Sequence, residues 1–195
     1  RLSTICDFVQ GKAHEPFFDD EGRFVCVTAR FVSTSGTSRK YCSKNLTPAK
    51  PQDIAMVMSD LPNGRALARA FIVDCNEVYA INQRVAAITV RKGIPQFFQY
   101  QLDRNRQLLR YNDGVNQTHL PNRAFTKLML RVPPVPEQEK ICDFLNEQTA
   151  ELDGLILEAD NAIGLLRERR AALISAAVTG KIDVRGEVPE TTEAA

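Results

Sequence analysis

The periodicity of apolar positions changes at the proline run in residues 133–136. Before it, apolar residues alternate or form short runs bounded by turn residues, which predicts short strands with a few helices. After it, they recur at steps of three and four, which predicts one helix from about residue 137 to residue 178. Such a helix would extend for roughly 60 Å. The pattern as a whole predicts an α+β domain followed by a single long helix.

Within the first part, individual segments differ in their patterns. Residues 23–33 alternate, which predicts a strand pair, and the apolar run in residues 51–60 predicts a buried strand. Residues 70–92 predict one or two further strands, and residues 94–112 have helical spacing. The polar, basic segment 34–45 predicts a loop.

The predicted helix carries its apolar residues on a narrow seam of the coiled-coil type. The seam consists of Ile141, Leu145, Leu152, Leu155, Ala159, Ala162, Leu166 and Leu173. A domain of this size cannot bury a seam of that length, so the helix needs a partner. Gly164, near the seam, either permits the close approach of a second helix or is tolerated flexibility. Gly180 fits the helix end.

The proline run also sets the predicted domain organisation, because each proline fixes its own φ and restricts the residue before it. Residues 1–132 are predicted to form a globular domain, residues 133–136 a proline hinge, residues 137–180 the long helix and residues 181–195 a C-terminal tail. A length of 195 residues accommodates one core plus an appended element. The first residue is Arg1 rather than Met, which indicates a trimmed chain or a piece of a longer protein.

The net charge of +1 conceals two segments of opposite sign. Residues 1–136 contain 19 Lys/Arg and 11 Asp/Glu, whereas residues 137–195 contain 6 and 13. A basic excess on a globular domain suits a polyphosphate partner such as DNA. An acidic helix would be repelled by DNA, so the helix is predicted to face protein.

Cysteine usage and hydropathy indicate a cytoplasmic protein that does not enter a membrane. The five cysteines are odd in number, widely spaced and without a C-x-x-C pair, so they are predicted to be buried, reduced thiols. No apolar run has the length of a transmembrane helix, and no signal-peptide pattern is present.

No motif predicts catalysis. The sequence lacks an N-P-P-[FYW] methylation motif, a G-x-G-x-x-G fingerprint and a Walker loop, so neither cofactor nor nucleotide binding is predicted. Asp74 and Glu77 resemble a nuclease metal pair only faintly, and no metal site is predicted. The composition and motifs favour a binding module.

Four short motifs and the long helix resemble the DNA-specificity (S) subunits of type I restriction–modification systems. The segment "PPVPEQ", the helix after it and the terminal "AVTGKI" are similar to the C-terminal conserved region of that family. "YAINQRVAAI" and "GVNQTHL" resemble one target-recognition domain. The resemblance implies a non-catalytic host-defence protein that reads half of a bipartite double-stranded DNA target and docks methyltransferase (modification) subunits. It also implies that S-adenosylmethionine and ATP bind to partner subunits, and that restriction subunits are indirect partners.

A full S subunit of that family has two recognition domains and two conserved helices that pack antiparallel, whereas this chain has one of each. The resemblance therefore leaves two possibilities. Either the chain is a half-subunit that forms a homodimer through the seam, or it is the C-terminal half of a longer subunit. A symmetric dimer would read a palindromic bipartite site.

The predicted DNA contacts lie on loops of the basic domain. They are Arg39 and Lys40 in the segment 34–45, Arg65 after the Asn63-Gly64 turn, and Asn116, Gln117 and His119 in "GVNQTHL". Arg pairs bidentately with guanine, and Asn and Gln with adenine. A structural tie between loops is the alternative role for Gln117 and the favoured role for Gln83.

Two other functions are compatible with the sequence. One is a coiled-coil adaptor whose basic domain binds an acidic protein. The other is a metal-dependent nuclease with its site at Asp74 and Glu77. Salt-sensitive binding to a defined duplex would exclude the adaptor, and cleavage by the purified chain would support the nuclease.

Overall fold

The computed structural model describes residues 1–60, 65–112 and 118–183. The chain divides into two compact units, Arg1–Asp143 and Phe144–Ala195. The described strands are β1 (Cys6–Gln10), β2 (Phe24–Val27), β3 (Tyr41–Cys42), β4 (Ile54–Val57), β5 (Ser59–Asp60), β6 (Ala70–Ile72), β7 (Tyr79–Ile81), β8 (Val85–Val90) and β9 (Thr118–His119). The described α-helices are α1 (Ala29–Ser33), α2 (Pro95–Leu102), α3 (Arg106–Leu109), α4 (Asn122–Lys127) and α5 (Val135–Val178).

The strands form three small sheets in the first unit. An antiparallel sheet has the order β1-β8-β4-β6, a second has the order β3-β2-β7, and β5 pairs with β9. Only the pairing of β2 with β7 is parallel among the described strand pairs. Short, mainly antiparallel strands with helices confirm the predicted α+β class.

Strand β4 is the centre of the first unit, because both of its faces are buried. Ile54 and Met56 pack into one apolar cluster with side chains of α2, α3 and α4. Ala55 and Val57 point into another cluster, which contains side chains of β2, α1 and β7. A strand that is buried on both faces has a continuous apolar sequence, so the buried strand predicted in residues 51–60 is confirmed.

The predicted strand pair in residues 23–33 is wrong in its second half. Only Phe24–Val27 is a strand, and α1 follows it. The Thr28 hydroxyl accepts a hydrogen bond from the Phe31 amide at 3.1 Å, which is an N-cap that begins a helix. Residues 70–92 contain three strands rather than one or two. The helical spacing of residues 94–112 is confirmed by α2 and α3.

The first turn of α5 is tied to the first unit by Gln138, whose side chain is buried. Its Oε1 accepts a hydrogen bond from the Ile94 amide at 3.0 Å, and its Nε2 donates to the Pro133 carbonyl at 2.8 Å. Gly93 has φ +109°, and a Cβ atom there would lie 2.8 Å from Gln138 Oε1. A glycine is therefore required beside Gln138. Cys142, one turn further along, is also buried in this unit.

The helix begins two residues earlier than the sequence predicts, at Val135, and ends at Val178 as predicted. Pro136 is thus the second helical residue, where a missing amide hydrogen breaks no helical bond. Gly180 follows the helix with φ +72°, the left-handed conformation of a C-terminal cap. Within the described part of the chain, no helix combines the length and the hydropathy needed to cross a bilayer.

Four of the five cysteines are buried, and all five are free thiols. Burial raises the pKa of Cys6 to about 11 and that of Cys26 to about 12, so both stay protonated and unreactive at neutral pH. Cys75 is exposed, and the prediction that every thiol is buried is wrong at this position. The reason is its place on a turn, between Asp74 and Asn76.

We expect Gln138→Ala to lower the free energy of unfolding by about 1–3 kcal/mol, because the Ile94 amide and the Pro133 carbonyl both lose their partner. Chemical denaturation followed by circular dichroism measures the difference. Asn161→Ala, which removes an exposed amide from α5, is the matched control and should change little. Equal midpoints for the two variants would contradict a stabilising role for Gln138.

We also expect brief alkylation of the folded chain to modify one cysteine, Cys75, and alkylation in denaturant to modify all five. Peptide mass spectrometry identifies the modified residues. A Cys75→Ser variant should show no adduct under native conditions. Rapid native labelling of Cys26 or Cys42 would be inconsistent with their burial.

Candidate nucleic-acid interface

The pairing of β5 with β9 brings together described residues that flank two of the predicted recognition segments. Asp60 is opposite Thr118, and Ser59 is opposite His119. Since the strands are antiparallel, the chain leaves β5 and enters β9 at the same end. Asp60, which precedes segment 61–64, and Thr118, which follows segment 113–117, are therefore neighbours. The Asn63-Gly64 turn, Asn116 and Gln117 lie outside the described residues, and their roles stay predictions.

Arg65 and His119 lie at the base of these two segments, and both are exposed. The Asp60 carboxylate accepts a hydrogen bond from the Ala66 amide at 2.7 Å, which holds the backbone after Arg65 near β5. Arg104 donates to the Arg65 carbonyl at 3.1 Å. This end of the domain therefore contains at least two guanidinium groups beside the paired strands.

Beyond His119, the chain is anchored in the core by Leu120. Its amide donates to the Met58 carbonyl at 2.7 Å, and its side chain is fully buried. The Arg84 carbonyl accepts hydrogen bonds from the amides of Met58 and Ser59, at 2.8 and 3.4 Å. The exposed Arg84 therefore lies beside the start of β5. It was not among the residues predicted from the sequence.

Arg39 and Lys40 belong to a different group, around the sheet β3-β2-β7. Arg39 forms an ion pair with Glu77, and its Nε donates to the Gly36 carbonyl at 3.3 Å. Lys40 Nζ lies 4.8 Å from the centroid of the Phe18 ring. Arg39 would have to exchange Glu77 for a phosphate or a base in order to bind DNA.

Two further cations lie on the same sheet, and the sequence analysis missed them. Each cation is 4.8 Å from a ring centroid: Arg23 over Phe24, Lys40 over Phe18 and Lys44 over Phe17. The three rings pack on the small buried cluster that contains Cys26 and Cys42. A cationic side chain that is held over a ring loses less conformational entropy on binding an anion than a freely moving side chain does. Only Arg23 adjoins its ring in the sequence, whereas Lys40 and Lys44 are more than 20 residues from Phe18 and Phe17, so no local pattern identifies these two pairs.

Asp74 and Glu77 are held by protein groups. The Asp74 carboxylate accepts hydrogen bonds from the Asn76 amide at 2.9 Å and the Tyr79 hydroxyl at 3.0 Å. The Asn76 amide lowers the pKa of Asp74, and burial together with Asp74 raises the pKa of Tyr79 to about 12. The described residues contain no group of three or more His, Cys, Asp or Glu placed to hold a metal ion. The geometry gives the nuclease hypothesis no support.

Gln83 has the structural contacts that the sequence analysis favoured. Its Nε2 and Asn82 Nδ2 each donate to Glu15 Oε1 at 3.1 Å. Partial burial opposes the charged form of Glu15, but the backbone hydrogen bond and these two amides outweigh it and lower its pKa. The YAINQ motif therefore ties β7 to the turn at Glu15.

The predicted seam of α5 is exposed over most of its length. Leu152, Leu155, Leu166 and Leu173 are between 51% and 63% exposed. Ile141 differs, because it packs partly against the core of the first unit, and Leu145 is half-buried. Gly154 and Gly164 face open space, where an added Cβ would meet nothing. Both explanations of Gly164 therefore stay open.

The apolar face of the second unit is wider than the seam. Phe144, Ile156, Ile163 and Ile174 are also exposed. At 100° per residue they flank the seam, and the combined face covers an arc of roughly 120°. A basic α+β domain that is followed by an exposed amphipathic helix is typical of a class of binding modules.

Comparisons with known proteins identify the family. A family model described as the type I restriction modification DNA specificity domain matches residues 2–159. This match spans most of the chain, and the chain belongs to that family. Specificity subunits of the family are non-catalytic, in agreement with the sequence-based prediction. The resemblance that the sequence motifs indicated is thereby confirmed.

Individual relatives are similar to parts of this chain. The type I restriction enzyme EcoBI specificity subunit of Escherichia coli is 31% identical over 111 residues, which are 55% of this chain and 23% of that subunit. A chain from a structural study of the assembly and conformational transition of a type I R-M system has a TM-score of 0.72 at 18% identity, over 91% of this chain and 44% of that one.

Two further solved S subunits have the same fold. The HsdS subunit of Thermoanaerobacter tengcongensis has a TM-score of 0.60 at 20% identity, over 80% of this chain and 38% of that one. The S subunit from M. genitalium has a TM-score of 0.57 at 13% identity, over 79% and 39%. The chain spans less than half the length of each of these relatives.

Proposed function

We propose that this chain is a sequence-recognition module of a type I restriction–modification complex. In this proposal the first unit reads one half of a bipartite double-stranded DNA target, and α5 docks methyltransferase (modification) subunits and a second recognition half. The observation that carries the proposal is the pairing of β5 with β9 in a basic domain, because these strands flank the two predicted reading segments.

The charge distribution supports this division of labour. The basic excess lies in residues 1–136 and the acidic excess in residues 137–195. Phosphate contacts supply most of the salt-sensitive affinity for DNA, and base contacts supply specificity. We assign base reading to the loops that carry Arg65, Asn116, Gln117 and His119. Arg39 and Lys40, on the other sheet, are proposed as backbone contacts.

The charges along the exposed part of α5 favour an antiparallel partner helix. Residues 144–166 contain five acidic and no basic residues, whereas residues 167–170 contain three arginines. Two copies packed antiparallel would place the acidic half of one helix against the arginines of the other. A parallel pair would place like charges together. We therefore propose an antiparallel pair, formed in a homodimer or with the other helix of a longer subunit.

The remaining chemistry of the complex is assigned to other subunits. S-adenosylmethionine is proposed to bind to the modification subunits and ATP to the restriction subunits, which contact this chain only indirectly. This chain binds neither cofactor in the proposal. Because its partners are DNA and the modification machinery, the proposed location is the cytoplasm.

The proposal is tested by long-read methylome sequencing of a methylation-deficient host that expresses the modification subunit with or without this chain. We expect a bipartite adenine-methylated motif only when the chain is present. A palindromic motif favours the homodimer, since two-fold protein symmetry matches two-fold DNA symmetry, and an asymmetric motif favours a second, different half. No chain-dependent methylation from soluble, co-purifying proteins would contradict the proposal and favour the adaptor.

We expect Leu152→Asp with Leu166→Asp to abolish self-association or docking, because two carboxylates would be buried without partners. Light scattering after size-exclusion chromatography measures the assembly. Leu157→Asp with Leu165→Asp is the matched control, since these residues are 63% and 68% exposed and lie outside the apolar face. Normal assembly of the first double variant would show that the seam is not the interface.

A further inference from the structure

A surface cavity of about 290 Å³ lies between the end of α3 and the end of α4. Its lining consists of Gln107, Arg110, Tyr111, Ala124, Lys127 and Leu128. The two apolar residues are buried and form a fixed floor. The long cationic side chains of Arg110 and Lys127 are exposed above it. Two cations from separate elements therefore converge on one concave surface.

The cavity has the charge of an anion site. No lining side chain is acidic, and no ion pair of Arg110 or Lys127 occurs among the described residues. Residues 103–131 contain six Lys/Arg and two Asp/Glu. One of these acids, Asp103, is held by Arg69 at 3.5 Å and by the Ala70 amide at 2.8 Å. The other, Asp113, lies outside the described residues.

One side of the cavity is lined by the end of α3 and the residues that lead towards segment 113–117, and the other side is lined by α4, which follows β9. Arg110 and Tyr111 come directly before the segment 113–117, and Lys127 follows His119 by way of α4. Leu108 and Leu120 are fully buried, so both sides are anchored in the same core. An anion bound in this cavity would lie at the base of the loop that carries Asn116 and Gln117.

We propose that Arg110 and Lys127 clamp a backbone phosphate of the DNA duplex and so set the register of the reading loop. This inference rests on the proposed function. Cations donate charge-assisted hydrogen bonds to phosphate oxygens, and phosphate contacts position a protein without carrying sequence information. The continuity of the cavity with the reading loop favours duplex phosphate over an acidic protein surface.

A purely structural role gives a different expectation. Arg110 is the C-cap residue of α3, and Lys127 ends α4, positions where a cation stabilises exposed helical carbonyls. If the two residues acted only as caps, their replacement would lower thermal stability and leave the salt dependence of DNA binding unchanged. The salt dependence is therefore the decisive quantity.

The test uses two double variants. The clamp variant combines Arg110→Gln and Lys127→Gln, and the control variant combines Lys50→Gln and Lys92→Gln, which removes the same charge from two exposed lysines elsewhere. Each double variant of the full chain is assembled with its modification subunits. Affinities for a duplex that contains the motif found by methylome sequencing and for a scrambled duplex are measured by fluorescence anisotropy over a series of salt concentrations. Thermal unfolding of both variants checks the fold.

For the clamp variant, we expect the magnitude of the slope of log K against log salt to decrease by about 0.9, because one phosphate contact is lost. Both duplexes should bind about tenfold more weakly per lost contact. The ratio of the affinities for the two duplexes should not change, and neither should the sequence motif that is methylated. The control pair should keep the wild-type slope. If the double variant unfolds, Lys127→Gln alone should lower the magnitude of the slope by a part of that value of about 0.9, because Arg110 still contacts the phosphate.

Three results would overturn the clamp. They are a wild-type slope in the clamp variant, an equal decrease in the control pair, and a change in specificity that identifies a base contact instead. Weakened capture of an acidic protein with unchanged DNA binding would assign the cavity to protein. Failure of the wild-type complex to bind any duplex would reject the proposed function as well, whereas normal wild-type binding with an unchanged slope rejects only the clamp.

Discussion

The burial of β4 on both faces is the constraint on which the rest of the first unit depends. Ile54 and Met56 pack in one apolar cluster, and Ala55 and Val57 pack in the other. Both clusters therefore depend on side chains of the same strand. The chain leaves β4 directly into β5, and Leu120 is tied to Met58 just beyond it. The position of the paired strands β5 and β9 therefore follows from the packing of the central strand.

A second constraint acts on α5, whose two ends have different environments. Its first turns are part of the first unit, where Gln138 satisfies an amide and a carbonyl and Cys142 is buried. From Phe144 onward its large apolar side chains are exposed. Exposed apolar area of this extent is characteristic of an interaction surface. Gln138 thus fixes the first turn of α5 in the first unit, which gives the PPVPEQ motif a physical reason.

The parts of the fold that sequence reasoning predicted are those with a strong local signal. The continuous apolar run of β4, the helical spacing of α2 and the four-and-three repeat of α5 all depend on neighbours along the chain. The prediction failed at residues 23–33, where alternation indicated two strands and a Thr28 cap begins a helix instead. Cys75 was predicted to be buried from its residue type, but its place on a turn exposes it.

For the candidate site, the sequence by itself determined the basic character of the first part, the polar loops and the family motifs. Only the tertiary structure decided that β5 pairs with β9, that Arg39 is paired with Glu77, and that Arg110 and Lys127 share one cavity. The physical reason is that periodicity and capping depend on residues within one or two turns. Contacts between residues far apart in the chain depend instead on which apolar faces pack together, and a local pattern does not specify that packing.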